Sequence, residues 1–343
     1  MTSREIIESA LRLEATPRLP VSLLSAGAWT LNRQGLTLEQ ALAAGPERIA
    51  EAIAQTNALV GCDVVWPGSG YHNLALRGVG GRIKFRAKGT PDVIAPLLAT
   101  PADAERVRVD RVREDPGVQA LVGAARLLAG SIGGATVVGT SQWAPFTLGA
   151  LAWGAEGIMR GIRKDKPAVH AVLGFAAELC FAYLEPFIDA GVSMISLADP
   201  TSSGDMVSRD QFVEFSLPHL AQVAAKVRAR GVRVVVHICG NTTNRLADVL
   251  TSGAELMSVD YKVDLAAARD ALGGRIAFAG NMNPVAVMQA QTPAGVAAAC
   301  RECIRAAGPG PGYVLMPGCD IPPTVPLENV RAMVETAHAH PAA

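Results

Sequence analysis

Aromatic residues are scarce in this sequence. Four tryptophans, four tyrosines and eight phenylalanines make up 5% of 343 residues, while half of the chain is apolar, so the core must be aliphatic. Net charge is also missing: Lys+Arg and Asp+Glu number 31 each. That balance excludes nucleic acid or an anionic membrane as the main partner, because both require a basic surface. Lysine is rare, at six of the 31 basic residues. The N-terminus, Met1-Thr2-Ser3-Arg4-Glu5-Ile6-Ile7, has no apolar signal region, and no run reads as a membrane span. The expected location is therefore the cytoplasm, with no membrane partner. In that compartment the six cysteines are expected as reduced thiols, with a metal or packing role in place of a disulfide framework. Motifs of common nucleotide enzymes are lacking too. Gly68-Ser69-Gly70 and Gly78-Val79-Gly80-Gly81 match neither a P-loop nor a dinucleotide fingerprint. There is no Gly-x-Ser-x-Gly elbow, which sets serine hydrolases aside.

What is present is a repeated alternation of short apolar strands and helices. Strands are expected at Pro20–Ser25, Asp63–Pro67, Ala135–Gly139, Val192–Leu197, Val232–Cys239, Glu255–Asp260, Arg275–Asn281 and Tyr313–Pro317. Helical periodicity fills most of the intervals, including 145–161, 167–190, 208–230, 293–307 and 327–338. Eight βα units predict an α/β fold, a single (β/α)8 TIM barrel in one domain spanning 1–343, with a doubly wound open sheet as the alternative. The polar, Gly-rich and arginine-bearing stretch 70–91 reads as an excursion over the barrel mouth.

The chain is organised around Val234-Val235-Val236-His237-Ile238-Cys239-Gly240. Residues i and i+2 of a strand point to one face, so His237 and Cys239 project together. A third soft donor, Cys319, follows another apolar run and a glycine in Val314-Leu315-Met316-Pro317-Gly318-Cys319. Imidazole with thiolates suits zinc rather than magnesium or calcium, and three protein ligands leave a fourth position for substrate. The same residues are also compatible with a hydrogen-bonded core histidine and two small buried thiols. Asp260 ends the strand after the His-Cys strand, either beside the metal as a weak fourth ligand or as a solvated strand-end carboxylate. Asp199, His237, Cys239, Asp260, Asn281 and Cys319 all fall at the C-terminal ends of expected strands, where barrel enzymes place their chemistry. Cys300-x-x-Cys303 lies within a helix and reads as packing, as do Cys62 and Cys180. His72, His170 and His219 have no neighbours of metal-ligand type in the sequence.

Three stretches carry a family resemblance. His237-Ile238-Cys239-Gly240-Asn241, Gly280-Asn281-Met282-Asn283-Pro284 and Pro317-Gly318-Cys319-Asp320-Ile321-Pro322-Pro323 resemble the uroporphyrinogen decarboxylase superfamily, and within it the zinc-dependent methylcobamide:coenzyme M methyltransferase branch. Ile195-Ser196-Leu197-Ala198-Asp199-Pro200 is similar to that branch's strand-four signature. The resemblance is densest from about residue 190 onward. It implies a (β/α)8 barrel whose zinc is held by His237, Cys239 and Cys319, with the carboxylate of Asp260 completing the shell. The branch often has Glu at that place, and the shorter Asp reaches less far. The decarboxylases proper carry an arginine-rich segment where this chain has Pro20-Val21-Ser22-Leu23-Leu24-Ser25-Ala26-Gly27-Ala28-Trp29, which contains no arginine.

The resemblance implies a transferase that moves a methyl group from a methylcobamide, the corrinoid donor carried by a partner protein, to a zinc-activated thiol such as coenzyme M. Asp260 and Asp199 are the expected catalytic carboxylates, with Asn281 and Asn241 contacting substrate. Arg77, Arg82 or Arg86 in the excursion are candidates for an anionic substrate tail. Alternatives are alkylation of a thiol by another electrophile such as an epoxide, methyl transfer to a folate, porphyrinogen decarboxylation, and a non-catalytic corrinoid- or tetrapyrrole-binding module.

Overall fold

The computed structural model describes residues 1–341. Its centre is a parallel sheet of seven strands. In chain order the strands are β1 (Val64–Val65), a separate antiparallel hairpin of β2 (Arg82–Lys84) and β3 (Asp92–Ala95), then β4 (Val137–Trp143), β5 (Met194–Ala198), β6 (Arg233–Ile238), β7 (Leu256–Val259), β8 (Ala277–Met282) and β9 (Tyr313–Pro317). The sheet order is β1-β4-β5-β6-β7-β8-β9, so each strand lies beside its predecessor apart from the excluded hairpin. Segment 20–22 runs between the two outer strands. Val21 forms a parallel bridge to Leu315, Leu315 N–H donates to Pro20 O at 2.9 Å, and Asp63 N–H donates to Val21 O at 2.9 Å.

Strands covered on both faces read as continuous apolar runs, and these do. One face is an enclosed cluster of Val64, Trp66, Val137, Met194, Val235, Leu256, Ala277, Val314 and Met316. The alternate residues, among them Val65, Val138, Ile195, Val234, Met257, Phe278 and Leu315, belong to the outer cluster against the helices. Strand parity therefore divides the two faces. Ile7, Ala10 and Leu11 of helix Ser3–Leu11 join the inner cluster and plug the end from which the strands start. The opposite, C-terminal end is left for chemistry. Trp66 fills the interior so tightly that a Cβ at Gly139 would meet its ring at 2.7 Å, so only glycine fits there.

Several elements differ from the sequence expectation. Strand β4 begins and ends later than 135–139 and runs on through Thr140-Ser141-Gln142-Trp143, whose polar residues hide it from an apolar-run reading. The excursion is longer than 70–91. It holds helix Leu74–Gly78, the hairpin and two 3-10 turns, Pro101–Arg106 and Val109–Glu114. The helix expected at 208–230 spans Arg209–Arg228, interrupted by a π turn at Phe212–Ser216. The expectation of no membrane-length run also needs correction. Helix Lys166–Asp189 is long and apolar enough to cross a membrane, but 61% of its apolar window is buried inside this molecule, as a core helix requires.

Candidate metal centre at the strand ends

Parity sets the site. Val235 faces inward, so His237 two residues on does as well, and Cys239 follows just past the end of β6. Gly240, with φ +87, turns the chain away at once. A Cβ there would meet Asp205 Oδ2 at 2.5 Å and Ser203 Oγ at 3.2 Å. On β9 the same logic carries Met316 inward and then Gly318, whose Cα sits against Tyr261 and Asp260 backbone and delivers Cys319 to the site.

His237 is 1% exposed. Its Nδ1 lies 3.2 Å from Ser258 O and 3.1 Å from Ser258 Oγ. A carbonyl only accepts, so Nδ1 carries the proton and the Nε2 lone pair is free. Nε2 lies 3.0 Å from Cys239 Sγ, and Cys239 Sγ lies 3.3 Å from Cys319 Sγ. All three donor atoms lie within 4.8 Å of one another. A disulfide is excluded, since its sulfurs would be about 2.05 Å apart. Tetrahedral zinc keeps such donors roughly 3.5–3.8 Å apart. The set of one imidazole and two thiols thus fits a zinc ion in chemistry and nearly in spacing. The thiols are strongly polarised against each other. The hydrogen bond from Cys239, then the neighbouring imidazole, pulls Cys319 down to about 4 despite burial. The same bond and burial push Cys239 up.

The other expected site residues are placed differently. Asp260 is 3% exposed at the end of β7, and its Oδ1 accepts from Lys262 N–H at 2.9 Å. Its carboxylate stands outside the group of three converging donors. The Asp199 carboxylate is fully enclosed. Oδ1 accepts from Thr147 N–H at 2.8 Å and Thr147 O–H at 2.7 Å, and Oδ2 accepts from Ser216 O–H at 2.6 Å. These bonds tie β5 to the helix Pro145–Trp153 and to the π turn. Asn281 likewise holds a loop: its amide donates to Val263 O at 2.7 Å and Asp260 O at 3.2 Å. Asn241 is exposed in a turn closed by its own Oδ1 accepting from Thr243 N–H at 3.0 Å. Asn281 Oδ1 lies 3.9 Å from Cys303 Sγ. Arg77 donates to both oxygens of Asp115, and Arg86 pairs with Asp92. Cys300 points at Met282 Sδ at 3.1 Å, which is packing.

Sequence reasoning passed over His72. The fold brings it onto Ser141, with Nε2 2.7 Å from Oγ, and packs it against Trp143 with ring centres 4.3 Å apart and planes tilted by 34°. The signal for it lay in β4, whose polar end was not recognised as strand.

Comparison with known proteins bears on family and fold. The family model for uroporphyrinogen decarboxylase (URO-D) matches residues 2–340. A methylcobamide:CoM methyltransferase of Methanosarcina mazei is 30% identical over 251 residues, covering 73% of this chain and 72% of the relative. A uroporphyrinogen decarboxylase of Coxiella burnetii is 31% identical over 180 residues, covering 51% of this chain and 49% of that protein. In fold, a methyltransferase from Methanosarcina mazei superposes with a TM-score of 0.87 at 24% identity, with 98% of each chain covered. With a family match over nearly its whole length and named methyltransferases among its relatives, the chain is an enzyme of the transferase class that belongs to the uroporphyrinogen decarboxylase family.

Proposed function

We propose that this enzyme is a zinc-dependent corrinoid methyltransferase, moving a methyl group from a methylated corrinoid carried by a partner protein to a thiol such as coenzyme M. The observation that carries the reading is the convergence of His237 Nε2, Cys239 Sγ and Cys319 Sγ within 4.8 Å at the C-terminal strand ends. Three protein donors leave a place for a substrate atom, which a structural site would fill with a fourth side chain. A zinc ion held there supplies the positive charge that keeps an incoming thiol as thiolate at neutral pH.

The chain's own residues do the rest. Ser258 holds the His237 ring in one tautomer, through its carbonyl and hydroxyl. Cys239 and Cys319 supply negative charge on two soft atoms, so the acceptor sulfur retains its nucleophilicity. Asp260, one strand over from His237, is the carboxylate suited to occupy the open place until the thiol arrives. Asn281 and Gly318 hold that Asp260 loop against the Cys319 loop. In the net reaction the methyl–cobalt bond breaks and a carbon–sulfur bond forms. Both electrons of the broken bond stay on cobalt, and the thiol proton is released.

The same reading takes the fold as a complete (β/α)8 barrel in one domain, with segment 20–22 as the eighth stave and the 70–91 excursion over the mouth. It places the enzyme in the cytoplasm. The test is elemental analysis with variants. Purified protein carries about one zinc per chain. Cys239→Ala or Cys319→Ala strips it, while Cys300→Ala and Cys303→Ala keep it. With methylcobalamin as donor, methylated thiol and cobalt(I) form together. Zinc retained by the Cys319 variant, or turnover without a thiol acceptor, overturns the reading.

A further inference from the structure

Building on the zinc reading above, we propose that Asp320 is the positioning residue of the Cys319 ligand: its carboxylate pins the Cys319 loop to the turn that opens helix Gly27–Arg33, so segment 25–29 serves the metal centre.

The need for such a tie comes from the chain around the ligand. Cys319 stands two residues beyond the end of β9, so no ladder hydrogen bond fixes it. On its N-terminal side the chain is held. Gly318 N–H donates to Met282 O at 2.8 Å, and a Cβ on Gly318 would meet Tyr261 N at 2.4 Å. On its C-terminal side, residues 322, 323 and 326 are prolines, which carry no N–H. That stretch has few backbone donors with which to hold the ligand from behind.

Asp320 supplies the hold. Its Oδ1 accepts from Ala26 N–H at 2.7 Å. Five residues further on, Val325 O accepts from Trp29 Nε1–H at 2.8 Å. Both anchors are buried, Ala26 at 2% exposed and Trp29 at 1%. Two hydrogen bonds from the start of one helix thus bracket the loop that begins at Cys319.

The turn itself is shaped for this contact. Ala26 has φ +58, a left-handed backbone that residues with a Cβ rarely adopt. The next amide, Gly27 N–H, donates to Ser69 Oγ at 3.0 Å. Gly27 admits no side chain, since a Cβ would lie 1.9 Å from Ser69 O. The turn is therefore clamped between the loop after β1, through Ser69, and the loop after β9, through Asp320. Residues 19–32 carry no charged side chain, so this segment has no counter-charge to offer an anionic substrate. Its amides at 26 and 27 are spent on the protein's own loops.

A ligand loop that is already ordered binds its metal without the cost of ordering, and groups that orient ligands contribute tenfold or more to affinity. A carboxylate beside zinc could also act by charge alone, and the amide variant separates the two. Zinc affinity of the purified holoenzyme is measured by competition with a chelator, with circular dichroism as the check on folding. Cobalt(II)-substituted protein adds the thiolate-to-cobalt charge-transfer absorption, which reads the Cys319 bond directly. Asp320→Ala is expected to lose at least about tenfold in zinc affinity, and part of the charge-transfer intensity, with a native fold. Asp320→Asn keeps an acceptor for Ala26 N–H and is expected to stay within about threefold of wild type. Trp29→Phe removes the donor to Val325 O and is expected to lose about fivefold, which decides the matter should Asp320→Ala fail to fold. Native affinity in Asp320→Ala, equal losses in Asp320→Ala and Asp320→Asn, or native affinity in Trp29→Phe overturns the proposal. Wild type that carries no zinc overturns the zinc reading and this proposal together. Wild type with about one zinc per chain and an indifferent Asp320→Ala overturns this proposal alone.

Discussion

Asp199 invites a catalytic reading from its place at a strand end, and its removal separates catalysis from architecture. The helix Pro145–Trp153 starts at Ala144, which has no side chain to cap it. Asp199 supplies that cap from a different strand, accepting the Thr147 N–H, and it also receives the hydroxyls of Thr147 and Ser216. Asp199→Ala therefore removes one helix cap and two hydroxyl hydrogen bonds. At about 1 kcal/mol apiece the loss is about 3 kcal/mol. Thr147 O–H retains Thr201 Oγ1 at 2.8 Å, and the carboxylate's own burial is unfavourable, as the upward shift of its pKa by desolvation shows. Both limit the loss from above. Asp199→Asn keeps one acceptor for the Thr147 N–H and is expected to lose only about 1 kcal/mol. For a chain of this length the alanine variant should melt roughly 4 °C lower. Differential scanning calorimetry checks the melting temperature. Steady-state kinetics at 25 °C checks that kcat and KM of the folded variant stay within about twofold of wild type, as expected for a group that does not touch substrate. An Asp199→Ala enzyme with unchanged melting temperature and no turnover refutes the reasoning, and makes the carboxylate part of the reacting centre.

Two further outcomes follow from particular contacts. At Gly318 a Cβ would lie 2.4 Å from Tyr261 N and 3.0 Å from Asp260 C, both backbone, so Gly318→Ala must displace the Cys319 loop. Zinc affinity by competition with a chelator is expected to fall at least about tenfold while circular dichroism stays native; a variant with native affinity refutes the packing argument. His72 is the second case: its folded-state value of about 4 lies below the ordinary 6.5, so the folded protein resists a proton that the unfolded chain accepts. Stability is then full above about pH 6.5 and lost as pH falls toward 4, by at most about 1.4 kcal/mol per pH unit. His219, also held down to about 4 by burial and then by His170, titrates in the same window. Urea unfolding at pH 7 and pH 5 should show wild type losing up to about 2 kcal/mol more than His72→Gln. Equal losses in the two proteins mean that the ring is not protected.

The parts of the site that obey strand parity were legible in the chain. Val235, His237 and Cys239 share a face because alternate residues of a strand must, and Cys319 enters behind Gly318 at the end of the last strand. The alternation of apolar strands and helices was legible for the same reason, since burial on both faces of a parallel sheet demands unbroken apolar runs. Parity stops at the strand end, and there only the tertiary structure decided. Asp199 turns to cap a helix, and Asn281 turns to the carbonyls of Asp260 and Val263, because each finds hydrogen-bond partners supplied by segments far away in sequence. His72 is the converse case. Nothing beside it in the chain bonds a histidine, and its partner Ser141 lies 69 residues further on, in a strand whose polar end hid it. Local pattern specifies which atoms can face inward; which of them meet is set by how the loops above the strands close over one another.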